Sequence, residues 1–520
     1  MLDLDAIYEP RTIAGLVLAT TLLGVVHRKL THRSSTLPPG PPPDSWIFGN
    51  TLPNAFAYRR FEEWTKQYGP VFSLRQGLTT VIVIGRYDAA VEIMEREGAH
   101  LADRPLSISA GETLSGGMRV LLTPFGERFK KMRKALHAHL SPKVVQSYGP
   151  VLMRSAKQHI LDILDNPDIH QEHAKRYSAS VVMALAYGKS PGKHDDPDVV
   201  AVNRCLVRLG VTLRPGVWKV DVYPFLRYIP GYLDELKEGH KEELALFKKH
   251  LGVVKAQMAR NDSLPPSFAA YLLERQSTLG LSDDETAYLA GALFGAGSDT
   301  TASAISVGVL AAACYPEAAR RVQEELDRVV GRTRAPAWAD VVEAGKTREG
   351  ARGGAALLNE LHAFVLETFR WRPVTAGGFA HKATKDVIWK DYVIPKGATV
   401  IGNVWSVGRD PAYFPNPETF DPQRWLREDG TLREDLKSYA FGFGRRVCPG
   451  QHIATASVLL NTALIQWAFS VHRDPAHPID ELAFTESANA HPVPFHVRFE
   501  PRAGLTREAV REMLEEYGEM

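Results

Sequence analysis

Apolar residues recur through most of this chain with the spacing of an α-helix. From Asp88 to Val330 they return every three or four positions, with breaks at prolines and glycines, which predicts a series of helices. Shorter β-branched or apolar runs predict strands at 71–74, 80–84, 386–393 and 399–403. Gly77, between the first two runs, predicts a hairpin turn. The pattern therefore predicts a mainly α protein with a small β subdomain.

One predicted helix, Leu289–Ala312, is almost entirely apolar but contains a polar segment, Ala296–Thr301, with the sequence AGSDTT. A glycine inside a helix costs about 0.5–1 kcal/mol relative to alanine. An aspartate and two threonines likewise add nothing favourable to an apolar interior. Such a local departure indicates a functional segment, a helix kink or a cap on an internal break, and the pattern alone leaves these open.

A further apolar stretch, Thr12–Val26, lies close to the N-terminus, between acidic residues and a run at 27–33 that is rich in Lys, Arg and His. It is short for a membrane span, which needs roughly 20 residues, unless its neighbours extend it. A cleaved signal peptide and a buried helix are the alternatives, but a signal peptide usually begins with basic residues. We predict an uncleaved anchor whose basic side faces the cytosol. The segment Leu37–Pro43 (LPPGPPP) then predicts a stiff hinge.

The composition excludes several classes of function. The 520 residues carry a net charge of +2, so nothing indicates nucleic-acid binding. Three scattered cysteines, at 205, 314 and 448, are too few for a disulfide framework and suit a reducing compartment. The sequence contains no P-loop, no zinc-type Cys/His spacing and no Gly-rich dinucleotide fingerprint. We therefore expect a redox reaction here to take its electrons from a separate protein.

Cys448 stands in a glycine-rich run, Phe441–Gly450, with the sequence FGFGRRVCPG. The glycines let the main chain approach a flat macrocycle, and Arg445 and Arg446 supply cations for its carboxylates. A helix is predicted to begin directly after Gly450, and its N-terminus would stabilise an anionic sulfur. A lone cysteine in a glycine turn would more simply be a small buried residue. The combination instead favours a thiolate bound to a haem iron.

This decapeptide resembles the haem-binding signature of the cytochrome P450 superfamily, in which F, G, R, C and G recur at these separations. The resemblance covers nearly the whole chain after residue 37 and is strongest to fungal membrane-bound members. It implies the cytochrome P450 fold, mainly α with a small β subdomain and an N-terminal anchor helix. It also implies that Cys448 is the iron ligand and that Arg446 pairs with a haem propionate. The other residues of the signature implied to contact haem are Phe441, Gly444 and Gly450.

The polar segment in the apolar helix resembles the distal helix of the same family, whose pattern is small-Gly-x-Asp/Glu-Thr. The resemblance implies that Ala296 and Gly297 leave room for dioxygen. It implies that the Thr300 hydroxyl holds a water molecule or the bound oxygen, and that Asp299 relays protons from solvent. The presence of both Asp299 and Thr300 favours oxygen activation over ligand rearrangement.

Two more residues are implied to hold the haem propionates. Arg133 matches the arginine of the family's Trp-x-x-x-Arg helix, but Phe129 stands where tryptophan is usual. Phenylalanine has no indole N–H, so a hydrogen bond worth about 0.5–1.5 kcal/mol would be missing, with Lys130 a candidate to compensate. His381 lies where the family places a basic residue against the other propionate; an ordinary surface histidine is the alternative.

Glu367 and Arg370, three apart in FVLETFRWRP, share one face of a predicted helix. An exposed pair would contribute little. The family instead adds an arginine, matched by Arg424 in DPQRW, and so implies a buried network that positions the cysteine loop. The Gly/Arg-rich stretch at 343–359 departs from the family and is either a surface insertion or an artefact of the gene model.

The family topology implies a substrate pocket lined mainly by apolar residues, which favours a lipophilic substrate. The candidates are Ile108, Met118, Val211, Leu213, Leu293, Phe294, Ala296, Val374, Thr375 and Phe379.

The sequence as a whole predicts a haem-thiolate monooxygenase that contains haem b and inserts one oxygen atom from O₂ into a lipophilic molecule. NADPH would supply electrons through NADPH–cytochrome P450 reductase, with cytochrome b5 as a second candidate donor. We expect a role in fungal secondary metabolism of terpenoid type; oxidation of xenobiotics, aromatics or steroids is the alternative. A haem-thiolate isomerase and a non-catalytic haem-binding membrane protein are alternatives of another class.

The expected location is the endoplasmic reticulum membrane, with a single span and the catalytic domain facing the cytosol. The predicted segments are an anchor with its basic flank at 1–36, a hinge at 37–43, a monooxygenase domain at 44–502 and a C-terminal tail at 503–520.

Overall fold

The computed structural model describes residues 36–53, 55–189, 196–260, 265–343 and 358–516, together with residues 15, 17, 20, 21, 24 and 262. The predicted fold class, mainly α with small sheets, is confirmed. The first helices are α1 (Ala57–Tyr68), α2 (Tyr87–Ala89), α3 (Glu127–Leu140), α4 (Pro142–Ser147), α5 (Gly149–Asp165), α6 (His170–Tyr187) and α7 (Pro197–Thr212). The later helices are α8 (Asp234–Ala259), α9 (Phe268–Leu279), α10 (Asp283–Cys314), α11 (Pro316–Val329), α12 (Asn359–Trp371), α13 (Val404–Val407), α14 (Gln451–Ala468) and α15 (Arg507–Glu516).

Helix α10 runs through the core and is buried along most of its length. A capping box begins it: Ser282 accepts from the Glu285 backbone, and Glu285 accepts from the Ser282 backbone. The helix continues without a break through the polar segment, so the interpretation of that segment as an internal cap is wrong. Gly297 lets α6 approach closely, because a Cβ there would lie 2.2 Å from Val182 Cγ1.

The strands form three small sheets. They are β1 (Val71–Gln76), β2 (Thr79–Ile84), β3 (His381–Lys382), β4 (Val387–Trp389), β5 (Tyr392–Ile394), β6 (Thr399–Gly402), β7 (Phe469–Arg473) and β8 (Val497–Pro501). The first sheet has the order β1-β2-β6-β3, with β1 and β2 forming the predicted hairpin and β6 parallel to β2. The predicted strand at 386–393 is instead two strands, β4 and β5. They turn at Lys390, whose φ is +52°.

Glu367 forms the predicted buried network, which joins α12 to the segment that precedes the cysteine loop. Its carboxylate is fully buried and accepts from Arg370 at 2.7 and 2.8 Å and from Arg424 Nε at 3.1 Å. It also accepts from Trp425 Nε1 at 2.9 Å and from the Asp421 backbone at 2.9 Å. Such a set of donors offsets the desolvation of a buried carboxylate.

Three predictions from the sequence concern the two ends of the chain and the Gly/Arg-rich stretch at 343–359. The predicted C-terminal tail contains α15, which buries Val510 and Leu514 in the main core, so the tail packs against the domain through one face of this helix. Most of the apolar stretch Thr12–Val26 lies outside the described residues, and so do the central residues of 343–359. Among the helices that the structure describes, none is by itself long and apolar enough to cross a membrane. Only α10 and α11 together meet that criterion, and they are bent by 104°.

Candidate active site

A cavity of about 330 Å³ lies between the middle of α10 and the cysteine loop. Its wall is mostly apolar, and Cys448 and Thr300 both belong to it. Of the predicted pocket residues, it includes Leu213, Leu293, Ala296, Val374, Thr375 and Phe379. The other four lie elsewhere: Ile108, Met118 and Phe294 are buried in packed cores, and Val211 is exposed. Each of those four follows the apolar pattern of its segment, which does not distinguish a cavity wall from a core.

The cysteine loop holds the Cys448 thiol in the cavity wall. The Cys448 backbone N–H donates to Phe441 O at 2.9 Å, which closes the loop. Gly444 has φ +51°, and a Cβ there would lie 2.9 Å from Met94 O, so the loop requires glycine at this position. Burial raises the pKa of Cys448, while the Gly450 N–H and the Arg133 charge oppose that rise. A metal ion at the sulfur would favour the thiolate decisively.

Arg446 reaches from the same loop to the rim of the cavity. Its Nε donates to Ala102 O at 2.6 Å and its Nη2 to Thr123 O at 2.9 Å. Its Nη1 is buried and has no hydrogen-bond partner among the described residues. The guanidinium lies over Phe129, with Cζ 3.6 Å from the ring centroid. An anion at this wall would satisfy the remaining donor.

Arg133 and His381 also lie in the cavity wall, as does Arg104, which the sequence motifs did not reveal. Arg133 makes no hydrogen bond or ion pair to any residue that the structure describes, and burial lowers its pKa. Burial and the Arg446 charge lower the pKa of Arg104 to about 9. His381 is only 5% exposed, so its interpretation as a surface histidine is wrong. Burial and Arg104 lower the pKa of His381 to about 3.

These side chains make one wall of the cavity strongly cationic: Asp103 offsets part of the charge of Arg104 and Arg446, but the cavity wall that the structure describes contains no carboxylate. Each arginine loses solvation there, and Arg446 and Arg104 also repel each other. A flat molecule with two carboxylates would supply the missing anions, and the thiol of Cys448 faces the same space. The residues present therefore fit a haem. The described part of the chain contains no cluster of three or more His, Cys, Asp and Glu side chains able to bind a metal ion.

Thr300 and Asp299, although adjacent in sequence, face different sides of α10, because each helical residue turns by about 100°. Thr300 lines the cavity, and its hydroxyl donates to Ala296 O at 2.9 Å. Asp299 is not part of the cavity wall. Its Oδ1 lies 2.7 Å from His491 Nε2, and its Oδ2 accepts from Asn489 Nδ2 at 3.1 Å. Burial would raise the pKa of Asp299, but His491 and Asn489 outweigh it, and the pKa is lowered.

The loop that contains Asn489 and His491 forms part of the site and was missed from the sequence. Ala488 and Asn489 line the cavity, and the Ala490 backbone donates to Val374 O at 2.7 Å. Asn489 and Asp299 are 190 residues apart in sequence. No motif or period connects such distant residues, so only the fold reveals their contact.

A buried polar network closes another part of the wall. Arg119 Nη2 donates to Glu243 Oε1 at 2.5 Å and to the Tyr288 hydroxyl at 3.1 Å. Arg119 Nε donates to Ser115 Oγ at 3.1 Å. Because Glu243 belongs to α8 and Tyr288 to α10, the network ties the loop at 115–119 to both helices. The network also neutralises Arg119, which is the only charged residue that the loop at 115–119 contributes to the described cavity wall.

Comparison with known proteins agrees with this geometry. Residues 38–499 match the family described as Cytochrome P450. The chain is 53% identical over 490 residues to cytochrome P450 monooxygenase 88 of Postia placenta, covering 94% of this chain and 96% of that protein. It is 51% identical over 494 residues to cytochrome P450 monooxygenase 113 of the same fungus, covering 94% and 96%. It is 32% identical over 530 residues to cytochrome P450 monooxygenase fogE of Aspergillus ruber, covering 98% and 95%. This chain therefore belongs to the cytochrome P450 family of monooxygenases.

Proposed function

We propose that this cytochrome P450 oxidises a lipophilic molecule of fungal secondary metabolism, of terpenoid type, with electrons from NADPH. The family itself implies a haem, dioxygen, a substrate and a redox partner. The observation that carries the proposal is the cavity, whose apolar wall meets Cys448 on one side and Thr300 on the other. An apolar cavity with few polar groups binds lipophilic molecules.

In this proposal Cys448 would ligate the iron of haem b, and its thiolate would favour cleavage of dioxygen. Arg133, Arg446 and Arg104 would bind the propionates, because all three carry positive charge at one wall. The backbone at Gly444 and Gly450 would let the loop approach the macrocycle. Phe441 packs against Phe369, with ring centroids 5.1 Å apart, and would border the same face.

His381 would bind a propionate in a specific protonation state. Its Nδ1 lies 2.6 Å from Leu101 O, so Nδ1 carries the proton and donates to that carbonyl. A neutral ring would then present only a lone pair at Nε2, which repels a carboxylate. The propionate would therefore bind together with a proton at Nε2. Its charge would oppose the burial that otherwise holds the pKa of His381 low.

Phe129 would act differently from the tryptophan it replaces. Its ring lies under the Arg446 guanidinium and supports that side chain by a cation–π contact. Lys130 does not compensate for the missing indole, because it is paired with Glu127 at the surface, at 2.7 Å.

Thr300 would hold a proton donor at the cavity, since its hydroxyl is a polar group that α10 presents there beside Ala296. Asp299 would accept protons on the outer side of the helix and supply them towards Thr300. The apolar wall would exclude bulk water from the reacting centre and so limit wasteful proton delivery.

An isotope experiment tests the proposal. The full-length protein would be reconstituted with NADPH–cytochrome P450 reductase and incubated with candidate terpenoids under ¹⁸O₂. We expect one ¹⁸O atom in the product, strict dependence on NADPH and reductase, and at most a stimulation by cytochrome b5. A product formed without O₂ or NADPH would favour the isomerase. Turnover of xenobiotic aromatics or steroids in preference to terpenoids would favour the other monooxygenase role.

We also propose that the protein resides in the endoplasmic reticulum membrane, with a single span near its N-terminus and the catalytic domain in the cytosol. The composition of Thr12–Val26 and its basic flank supports this location. An exposed apolar surface next to the hinge adds support, because such surfaces mark contacts with membranes or proteins. Its members are Trp46, Ile47, Phe48, Leu78 and Phe225, which are brought together by ring contacts of Tyr223 with Phe48 and Phe225 and by the Gly77 N–H, which donates to Phe48 O.

Cell fractionation tests the location. We expect the protein to stay with microsomes through carbonate extraction, with its C-terminus accessible to added protease. Release by carbonate would contradict a membrane span, and a protected C-terminus would contradict the orientation.

A further inference from the structure

Among the residues that the structure describes, Asp299 has one close ionisable neighbour, His491, which lies outside the cavity and belongs to a different part of the chain. His491 Nε2 lies 2.7 Å from Asp299 Oδ1, and the two side chains are 19% and 23% exposed. The imidazole is therefore partly open to solvent while its Nε2 faces the carboxylate. Nε2 is buried and makes no hydrogen bond among the described residues, so its 2.7 Å approach to Asp299 Oδ1 is an ion-pair contact and not a directed hydrogen bond.

The loop around His491 is held firmly against α10. Ser303 Oγ, one helical turn beyond Asp299, donates to Ala490 O at 2.7 Å. Asn489 Nδ2 donates to the second oxygen of Asp299, at 3.1 Å. The His491 backbone donates to Thr485 Oγ1 at 3.0 Å. These contacts fix the backbone of His491, so the imidazole is placed against the carboxylate by the fold and not by the ion pair alone.

Few other charges act on this pair. Lys175, on α6, adds a weaker attraction to the Asp299 carboxylate. Lys175 is itself paired with Glu172, at 2.7 Å, so part of its charge is neutralised. On α10 and on the loop the groups next to Asp299 are uncharged, namely Ser303 and Asn489. Burial acts most strongly on the ionisation of Asp299, and His491 is the main group that opposes it.

We propose that His491 is a positioning residue for Asp299: it holds the carboxylate ionised and turned to the outer side of α10, so that proton supply to the cavity depends on this histidine. The inference rests on the proposed role of Asp299 in oxygen activation. Insertion of one atom of O₂ into a C–H bond, with reduction of the other to water, consumes two electrons and two protons. An ionised, solvent-linked carboxylate can take up such protons at its Oδ atoms and release them towards Thr300.

Infrared spectroscopy tests the contact without substrate or electrons. In protein labelled with ¹³C-aspartate, the band of the protonated Asp299 carboxyl is identified by its loss in D299N and followed as the pH falls. We expect this band to emerge at higher pH in H491Q than in the wild type, by roughly one pH unit, a tenfold change in the protonation equilibrium. H491R, which places a permanent cation at this position, should return the band towards its original pH.

The matched control is H477Q. His477 forms a similar pair with Asp474, with 2.7 Å between Nδ1 and Oδ2, but at the exposed surface far along the chain from α10. H477Q should leave the Asp299 band unchanged. An unchanged band in H491Q would overturn the proposal. A fall in thermal stability or haem content with no change in the band would show that His491 only packs the loop.

The pH profile of coupling is the second readout. Product formed per NADPH should depend on pH with a midpoint that moves in the alkaline direction in H491Q, and this dependence should be absent in D299N. A displaced infrared band with an unchanged coupling profile would leave the contact in place but contradict its role in proton supply. The infrared band and the coupling profile thus test the role of His491, while the ¹⁸O₂ experiment tests the proposed function, so a failure of either can be recognised separately.

Discussion

At the residue scale, single residues of α10 serve both packing and chemistry. Gly297 was expected to leave room for dioxygen, and it does line the cavity, but its missing Cβ also makes room for Val182 of α6. Thr300 faces the cavity and the next residue back, Asp299, faces the loop. The motif predicts which residue types occur here, whereas the direction of each side chain depends on how α10 packs against its neighbours.

Replacing Thr300 by valine tests the role of its hydroxyl. Valine keeps the shape and removes the hydroxyl that would accept a hydrogen bond in the cavity, so we expect product per NADPH to fall by about two- to tenfold, the equivalent of one hydrogen bond. Peroxide release should rise in proportion. S298A is the matched control, since Ser298 also donates to the carbonyl four residues earlier but is absent from the cavity wall. Equal coupling in T300V and the wild type would contradict the role.

At the scale of elements, the sequence predicted most helices and the first hairpin, because their apolar periods are long and regular. The prediction from sequence failed where tertiary contacts determine the local structure. The β4–β5 turn needs Lys390 in a left-handed conformation, which no local signal indicates. The burial of α15 depends on its packing against α5, and the contact of Asp299 with His491 depends on the path of a distant loop.

The Glu367 network makes a prediction about stability. In E367Q, Arg370 and Arg424 would stay buried with one negative charge fewer, so we expect a loss of about 3–5 kcal/mol in the free energy of unfolding. Denaturant titration and the haem content of the purified protein measure it. E317Q is the control, because Glu317 forms an exposed ion pair with Arg320 and should matter little. Equal stability of the two variants would contradict a structural role for the network.

Buried histidines predict a loss of stability in acid. His159 is 1% exposed, its Nδ1 lies 2.7 Å from Asn461 Oδ1, and burial lowers its pKa from 6.5 to about 4. Between those values the unfolded chain binds a proton that the folded protein does not. Stability should therefore fall as the pH drops through this window, by about 1.4 kcal/mol per pH unit for each such histidine.

The variant H159Q tests this directly. Denaturant titrations between pH 6.5 and pH 4 should give a shallower decline in H159Q than in the wild type, since one titrating group is gone. H137Q is the control, because His137 is exposed and its replacement should leave the slope unchanged. The same slope in H159Q and the wild type would mean that His159 does not titrate as its burial requires.

At the scale of the whole molecule, the sequence predicted the family correctly because one decapeptide carries several constraints of the site together, and the same decapeptide makes Cys448 the predicted iron ligand. The remaining parts of the site come from separate segments. Arg104, Arg133 and His381 reach the same wall from different elements, and only the fold shows that their charges combine there. Phe129 likewise gains its role from Arg446, which lies far from it in sequence.

The central claim is that Cys448 binds a haem iron as a thiolate. The reduced, CO-bound absorption spectrum of the purified full-length protein tests it most directly, with C205A and C314A as controls, because these are the other two cysteines of the chain. We predict the red-shifted Soret band of thiolate-ligated haem in the wild type and in both controls, and its loss in C448A. Absence of that band from the intact wild type would contradict thiolate ligation, and its retention in C448A would contradict the assignment of Cys448.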